Sequence, residues 1–168
     1  MTISTSIVKG SIQDVSKSGD MALAMLDAKV VLLCDRSGSM SEFARGGKMS
    51  YELEDDIVTR LQARHSGRVV IVAFHDIAFL CSDGRLPMPQ GSTNMLDAFR
   101  VAQPLADAGL RVVLITDGLP SHGESEVIQA ASQFRGKMDT IFVGPEISPG
   151  ADFLKRLAKS VGGSNSIC

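Results

Sequence analysis

Val30-Val31-Leu32-Leu33-Cys34-Asp35-Arg36-Ser37-Gly38-Ser39-Met40 is the stretch on which the reading of this chain turns. Its first residues form an apolar run with the character of a buried strand. The run delivers Asp35, then serines at the alternate positions 37 and 39, into a loop containing Gly38. One carboxylate and two hydroxyls thereby gather at a strand's end, and hard divalent cations want oxygen ligands of this kind. A second apolar run, Val112-Val113-Leu114-Ile115, ends in Thr116-Asp117-Gly118 and supplies another strand-end carboxylate. Between them, Gly91-Ser92-Thr93 sits in a loop just before a helical segment.

Outward from this core the chain alternates strands and helices. Residues 1–27 are a preamble in which Asp20 would cap a short helix over Met21–Ala28, burying Ala22, Leu23 and Leu26. The first strand spans about Lys29–Cys34. Ser50–His65 reads as a helix with Leu53, Ile57, Val58 and Leu61 on one face. Arg68–Phe74 is a second strand, and Ile77–Cys81 follows after only His75-Asp76, a connection short enough for a hairpin. A helix over Asn94–Ala106 buries Met95, Ala98, Phe99 and Ala102, with Pro104 limiting or kinking its end. Strand Leu110–Thr116, helix Glu124–Arg135, strand Thr140–Val143 and helix Ala151–Val161 complete the order, and Gly162-Gly163 stops the last helix.

Strands that are apolar throughout, alternating with amphipathic helices, predict an α/β fold: a doubly wound, mostly parallel sheet with helices on both faces. Ligands of such sheets bind outside the carboxyl ends of the strands, where the strand order reverses. Asp35 and Asp117 both fall at carboxyl ends, so the three loops converge if their strands are neighbours across that reversal.

At 168 residues the chain is long enough to bury a proper core without disulfide or metal staples. A net charge of −2 and a pI near 5.9 leave no electrostatic footprint for nucleic acid or an anionic membrane. Acidic and basic residues are mixed along the sequence. Cys34, Cys81 and Cys168 are too few and too irregularly spaced for a disulfide framework or a thiolate zinc site. The start lacks the pattern of a secretory signal and no run approaches a membrane span, so a cytoplasmic location is expected.

Asp-x-Ser-x-Ser, then Thr, then Asp, each at a strand-to-helix junction, resembles the metal-ion-dependent adhesion site of the von Willebrand factor A (vWA) family. The resemblance spans about residues 28–161, within a domain placed at 28–168. Its most specific pieces are Asp35-Arg36-Ser37-Gly38-Ser39-Met40 and Ile115-Thr116-Asp117-Gly118-Leu119-Pro120. It implies a Rossmann-type, five-stranded sheet of order 3-2-1-4-5 with an antiparallel third strand at the edge. It implies a metal site made by Asp35, Ser37, Ser39, Thr93 and Asp117, holding magnesium, with manganese or calcium as alternatives. It also implies a sixth ligand from an aspartate or glutamate of a partner protein. Similar stand-alone bacterial vWA proteins often work with AAA+ ATPases, which makes such an ATPase the expected partner class. Larger members carry a sixth strand and a closing helix. Here the chain runs out soon after its last helix, leaving the far sheet edge bare, covered by the preamble, or paired with another chain.

The rival from another class is a magnesium-dependent phosphatase of the haloacid-dehalogenase type, which also places an Asp after its first strand. Such enzymes need a second acid two positions on, where this chain has Ser37, and a phosphate-neutralising lysine that the loops after the fourth and fifth strands lack. Ser121, His122 and His75 read as ordinary loop or structural residues. Glu42, Phe43, Arg45, Met88 and Pro89 read as the rim of a binding face, with Phe43 packed under its own loop as the equal alternative.

Overall fold

A computed structural model describes residues 7–16, 24–145 and 147–168. The two apolar runs that end in Asp35 and Asp117 stand side by side at its centre. Strand β1 (Val30–Asp35) pairs in parallel with β2 (Val69–Phe74) on one side and β4 (Arg111–Thr116) on the other, Val30 opposite both Val69 and Arg111. Strand β3 (Ala78–Leu80) folds back antiparallel to β2 as the expected hairpin, but its turn takes residues 75–77, three rather than two, so Ile77 belongs to the turn and not to the strand. Strand β5 (Met138–Phe142) adds in parallel beyond β4, with Val112 opposite Met138.

The sheet has six strands rather than five, in the order β3-β2-β1-β4-β5-β6. The extra strand, β6 (Asn165–Ile167), runs parallel to β5 and covers the edge that was expected to be bare, covered by the preamble, or paired with another chain. Its polar Asn-Ser-Ile sequence carries no apolar run to announce it. Position is set by contacts made just before it: Ser164 gives its N–H and hydroxyl to Asp139 Oδ1, at 2.8 and 2.7 Å. Gly163 passes so close to β5 that a Cβ there would lie 1.8 Å from the Met138 carbonyl oxygen, which only glycine permits.

Helices α2 (Ser50–Arg64), α3 (Met95–Asp107), α4 (Glu124–Ala131) and α5 (Pro149–Ser160) cover the sheet, and a single turn α1 (Ile12–Val15) precedes β1. One face packs against α3, α4 and α5 through Met95, Ala98, Phe99, Ala102, Val127, Phe153 and Leu154, all buried. The other packs against α2, with Leu32, Cys34, Ile71 and Ile115 in its core. Pro104 sits inside α3, which continues for three more residues rather than stopping. Among the described residues no helix is long and apolar enough to cross a membrane.

The preamble differs from expectation where it is described. Leu26 is 75% exposed because the chain turns there, while Ala24 and Met25 pack against the core instead. Asp20, Ala22 and Leu23 lie outside the described residues. Residues 8–13 bond to the loop after β3: Val8 N–H to Asp83 C=O and Gln13 N–H to Ser82 C=O, each at 3.0 Å.

At one end of the sheet cations from distant segments come together, with Arg111 paired to Asp139. Lys29 gives its N–H to Arg68 C=O, and Arg111 gives its N–H to Lys29 C=O, both at 2.9 Å. Three exposed cations from distant segments thus stand at the starts of adjacent strands, at the end of the sheet opposite Asp35 and Asp117.

Candidate metal centre

Asp35 ends β1 and is wholly buried. Its Oδ1 accepts the Ser37 N–H at 2.8 Å, the local turn that a short carboxylate makes with the backbone two residues on. Its Oδ2 accepts the Thr116 hydroxyl at 2.5 Å, across the β1–β4 pair. The chain then tightens into a single 3-10 turn, Gly38–Ser41, which brings Ser37 Oγ within 3.2 Å of Ser39 Oγ. Ser39 in turn donates its hydroxyl to Asp117 Oδ1 at 2.9 Å. Asp35, Ser37, Ser39 and Asp117 are therefore joined by hydrogen bonds, although Asp117 lies 78 residues beyond Ser39.

Thr93 joins this cluster through its backbone neighbours. Gly38 N–H donates to Gly91 C=O at 3.0 Å, stitching the two loops together. Gly91 has φ +67°, and a Cβ on it would lie 2.2 Å from Asp76 Oδ2, so both conformation and space demand glycine. Asp76 fixes the next residue by accepting the Ser92 N–H at 2.9 Å and its hydroxyl at 2.6 Å. The Thr93 N–H donates to Ser121 Oγ at 2.8 Å, while Ser121 N–H returns to Thr93 C=O at 3.0 Å.

Two carboxyls share this spot. Burial pushes the Asp117 carboxyl up to about 6, the Asp35 charge adds to the rise, and the Ser39 hydroxyl opposes it. Burial likewise raises Asp35, against the hydrogen bonds from Thr116 and Ser37. Such groups repel when both are ionised, and a proton or a cation relieves them. The donors are oxygens throughout, two of them carboxylates and the rest hydroxyls, which is the chemistry that hard divalent ions take. Among the described residues no three His, Cys, Asp or Glu side chains cluster to hold a metal, so a site of this kind rests on hydroxyls as well as acids.

Four supporting residues escaped the sequence reading. Thr116 holds Asp35, and Ser121, read as a solvated loop position, holds Thr93. Arg36 and Glu54 form a buried pair behind the loop, Arg36 Nε standing 3.2 Å from Glu54 Oε2. Burial pushes the Glu54 carboxyl well up, and the Arg36 guanidinium pulls it back. Alternation from Asp35 to Ser37 was the one available signal, since it sends the side chain at position 36 inward. His75 is structural: Nδ1 accepts the Asp76 N–H at 2.7 Å and its carbonyl accepts the Asn94 N–H at 2.9 Å.

The phosphatase alternative finds no support. Ser37 occupies the general-acid position, and Lys155 is exposed on α5.

No family model matches the sequence, and no curated protein is significantly similar to it. Solved structures are similar in fold. BatB, a conserved hypothetical protein from Bacteroides thetaiotaomicron, aligns with a TM-score of 0.61 at 16% identity over 84% of this chain and 90% of its own. A von Willebrand factor type A protein from Catenulispora acidiphila aligns at 0.60 with 18% identity, over 84% of this chain and 39% of its own. The manganese-loaded TRAP protein of Plasmodium vivax aligns at 0.59 with 20% identity, over 79% of this chain and 63% of its own. With its parallel core, antiparallel edge hairpin and loop cluster at the carboxyl ends of β1 and β4, the chain has the fold of a von Willebrand factor A domain.

Proposed function

We propose that this chain is a non-catalytic protein-interaction module that holds one divalent cation and, through it, docks an aspartate or glutamate of a partner protein. The observation that carries the reading is the hydrogen-bonded chain from Asp35 through Ser37 and Ser39 to Asp117, with the Thr93 loop bonded alongside. On this reading Asp35, Ser37, Ser39, Thr93 and Asp117 hold the ion: magnesium first, manganese or calcium as alternatives. When bound, the ion supplies a Lewis-acidic position open to an incoming carboxylate. Thr116 keeps Asp35 aimed, Ser121 keeps the Thr93 loop in place, and Asp76 braces that loop from behind.

The surroundings suit a protein partner. Phe43, Met88 and Leu119 are 67%, 68% and 41% exposed, each in a loop that carries a candidate ligand. Apolar anchors beside an ionic one are how small interfaces concentrate affinity. An AAA+ ATPase is the partner class that the family resemblance suggests, and a cytoplasmic setting goes with it.

Thermal unfolding with and without manganese or magnesium tests the reading. An ion that binds only the folded state stabilises it by about 2.7 kcal/mol at 100 times its Kd. For a domain of this size that is a rise in Tm of about 5 °C or more. Asp35→Ala should remove the rise and leave a folded protein, and a rise that survives the substitution overturns the site. Magnesium-dependent hydrolysis of an aryl phosphate would instead favour an enzyme.

A further inference from the structure

We propose that Arg36, between the first aspartate and first serine of the loop, is a positioning residue that sets the metal loop against α2. The inference rests on the metal-docking reading above and concerns what holds that loop in register. Asp35, Ser37 and Ser39 turn their side chains into the candidate site, whereas the Arg36 side chain goes under α2 and is 1% exposed. Its guanidinium contacts three residues of that helix: Glu54 at 3.2 Å, Asp55 through the terminal nitrogen, and the Tyr51 ring with its centre 5.9 Å away. Positions 51, 54 and 55 share one helical face, so the guanidinium is gripped from a single side.

The backbone of the same residue grips the other two loops. Arg36 N–H donates to Phe74 C=O at the end of β2, and Arg36 C=O accepts the Gln90 N–H ahead of Thr93, both at 2.7 Å. One residue therefore ties together the loop after β1, the end of β2, the loop of Thr93 and the first turns of α2.

Stability alone does not call for this arrangement. Arg36 and Glu54 are removed from water among apolar neighbours of the α2-side core, and neither Glu54 oxygen accepts a hydrogen bond. Apolar residues of equal volume would hold a core at least as well as such a pair. What they lack is direction: the terminal nitrogen of the planar, charged fork donates to Asp55 and so fixes the angle of the guanidinium to the helix. Among the described residues the hydroxyls of Ser37 and Ser39 bond to each other and to Asp117 and not to α2, so Arg36 is the charged fastening of the loop to that helix, beside the apolar packing of Met40.

The test replaces the pair with apolar residues in the full chain, as the double variant Arg36→Met, Glu54→Leu. Two quantities are read: the Mn2+ Kd by calorimetry, and deuterium exchange at the amides of residues 37–40 and 90–93 in chelator. The double variant should melt close to the wild type, bind Mn2+ about tenfold or more weakly, and exchange faster at both loops. An unchanged Kd with unchanged exchange overturns the inference while leaving the docking reading intact. If the wild type itself binds no Mn2+, the docking reading falls, and exchange in chelator alone decides for or against Arg36. Should the double variant not fold, Arg36→Lys, which keeps the charge and loses the fork, is judged by the same two readouts.

Discussion

Three helices cover one face of the sheet and a single helix covers the other, and the two coverings bury different chemistry. Helices α3, α4 and α5 turn Met95, Ala98, Phe99, Ala102, Val127, Ala131, Phe153 and Leu154 inward, an apolar layer with the spacing that amphipathic helices show. Helix α2 buries Ser50, Glu54, Val58 and Gln62, a stripe at every fourth residue in which only Val58 is apolar. The residues expected to be buried there, Leu53, Ile57 and Leu61, are half-buried at its flanks. Beside α2 the second face also keeps an open groove of about 290 Å³, bordered by Leu61, His65, Val113, Ile141 and Ser166. The face that carries the loop cluster's anchor buries charged and polar side chains beside its apolar core, and the opposite face is apolar packing throughout.

That contrast can be broken by substitution. Phe153→Ala on the three-helix face should cost the most, about 4 kcal/mol in chemical denaturation, from lost burial and an unfilled cavity. Glu54→Ala on the other face should cost about 3 kcal/mol, chiefly by leaving the buried Arg36 with the half-exposed Asp55 as its one remaining carboxylate. A cost below about 1 kcal/mol would mean that α2 is held by its apolar flanks after all.

Titration belongs to the polar side. Asp117 sits at about 6 in the folded protein against 3.8 ordinarily. A raised folded value means that the native state binds the proton more tightly than the unfolded chain. Metal-free stability from this group is therefore greatest below pH 4, falls as pH climbs from about 4 to about 6, and stays low above that. The loss should be about 3 kcal/mol at most and absent in Asp117→Asn, which urea titrations of both proteins in chelator would compare. Mn2+ stabilisation should fade over the same window in the opposite direction, as protons compete for the carboxyl. Gln62→Ala should have the smallest effect, about 1 kcal/mol, from loss of the 3.0 Å bond between its Nε2 and the Gly84 carbonyl. If it costs as much as Phe153→Ala, the two faces are not distinct in kind.

Much of this was legible in the letters. The apolar runs 30–34, 69–74 and 112–115 name their strands because continuous burial on both faces leaves no other use for them. The hairpin after Phe74 follows from the shortness of the connection, although the turn takes in Ile77 as well. Asp35, Ser37 and Ser39 read directly as a cluster since they are neighbours on one loop. Other features left no local trace. Strand β6 is three residues of which two are polar, and it is placed by Asp139 from another segment. Thr116 looks like any strand-end residue and Ser121 like any loop residue until Asp35 and Thr93 are brought against them.

Local chemistry therefore sufficed for element types, for the alternation that points Asp35, Ser37 and Ser39 one way, and for the parallel sheet as a class. Those depend on near neighbours along the backbone, whose geometry is repetitive. The meeting of Asp117 with Ser39, the polar stripe of α2 beneath which Arg36 lies, and the row of Lys29, Arg68 and Arg111 belong to the folded chain alone. They join residues tens of positions apart, and a carboxylate or guanidinium carries no mark in the sequence of which distant charge it will be buried against.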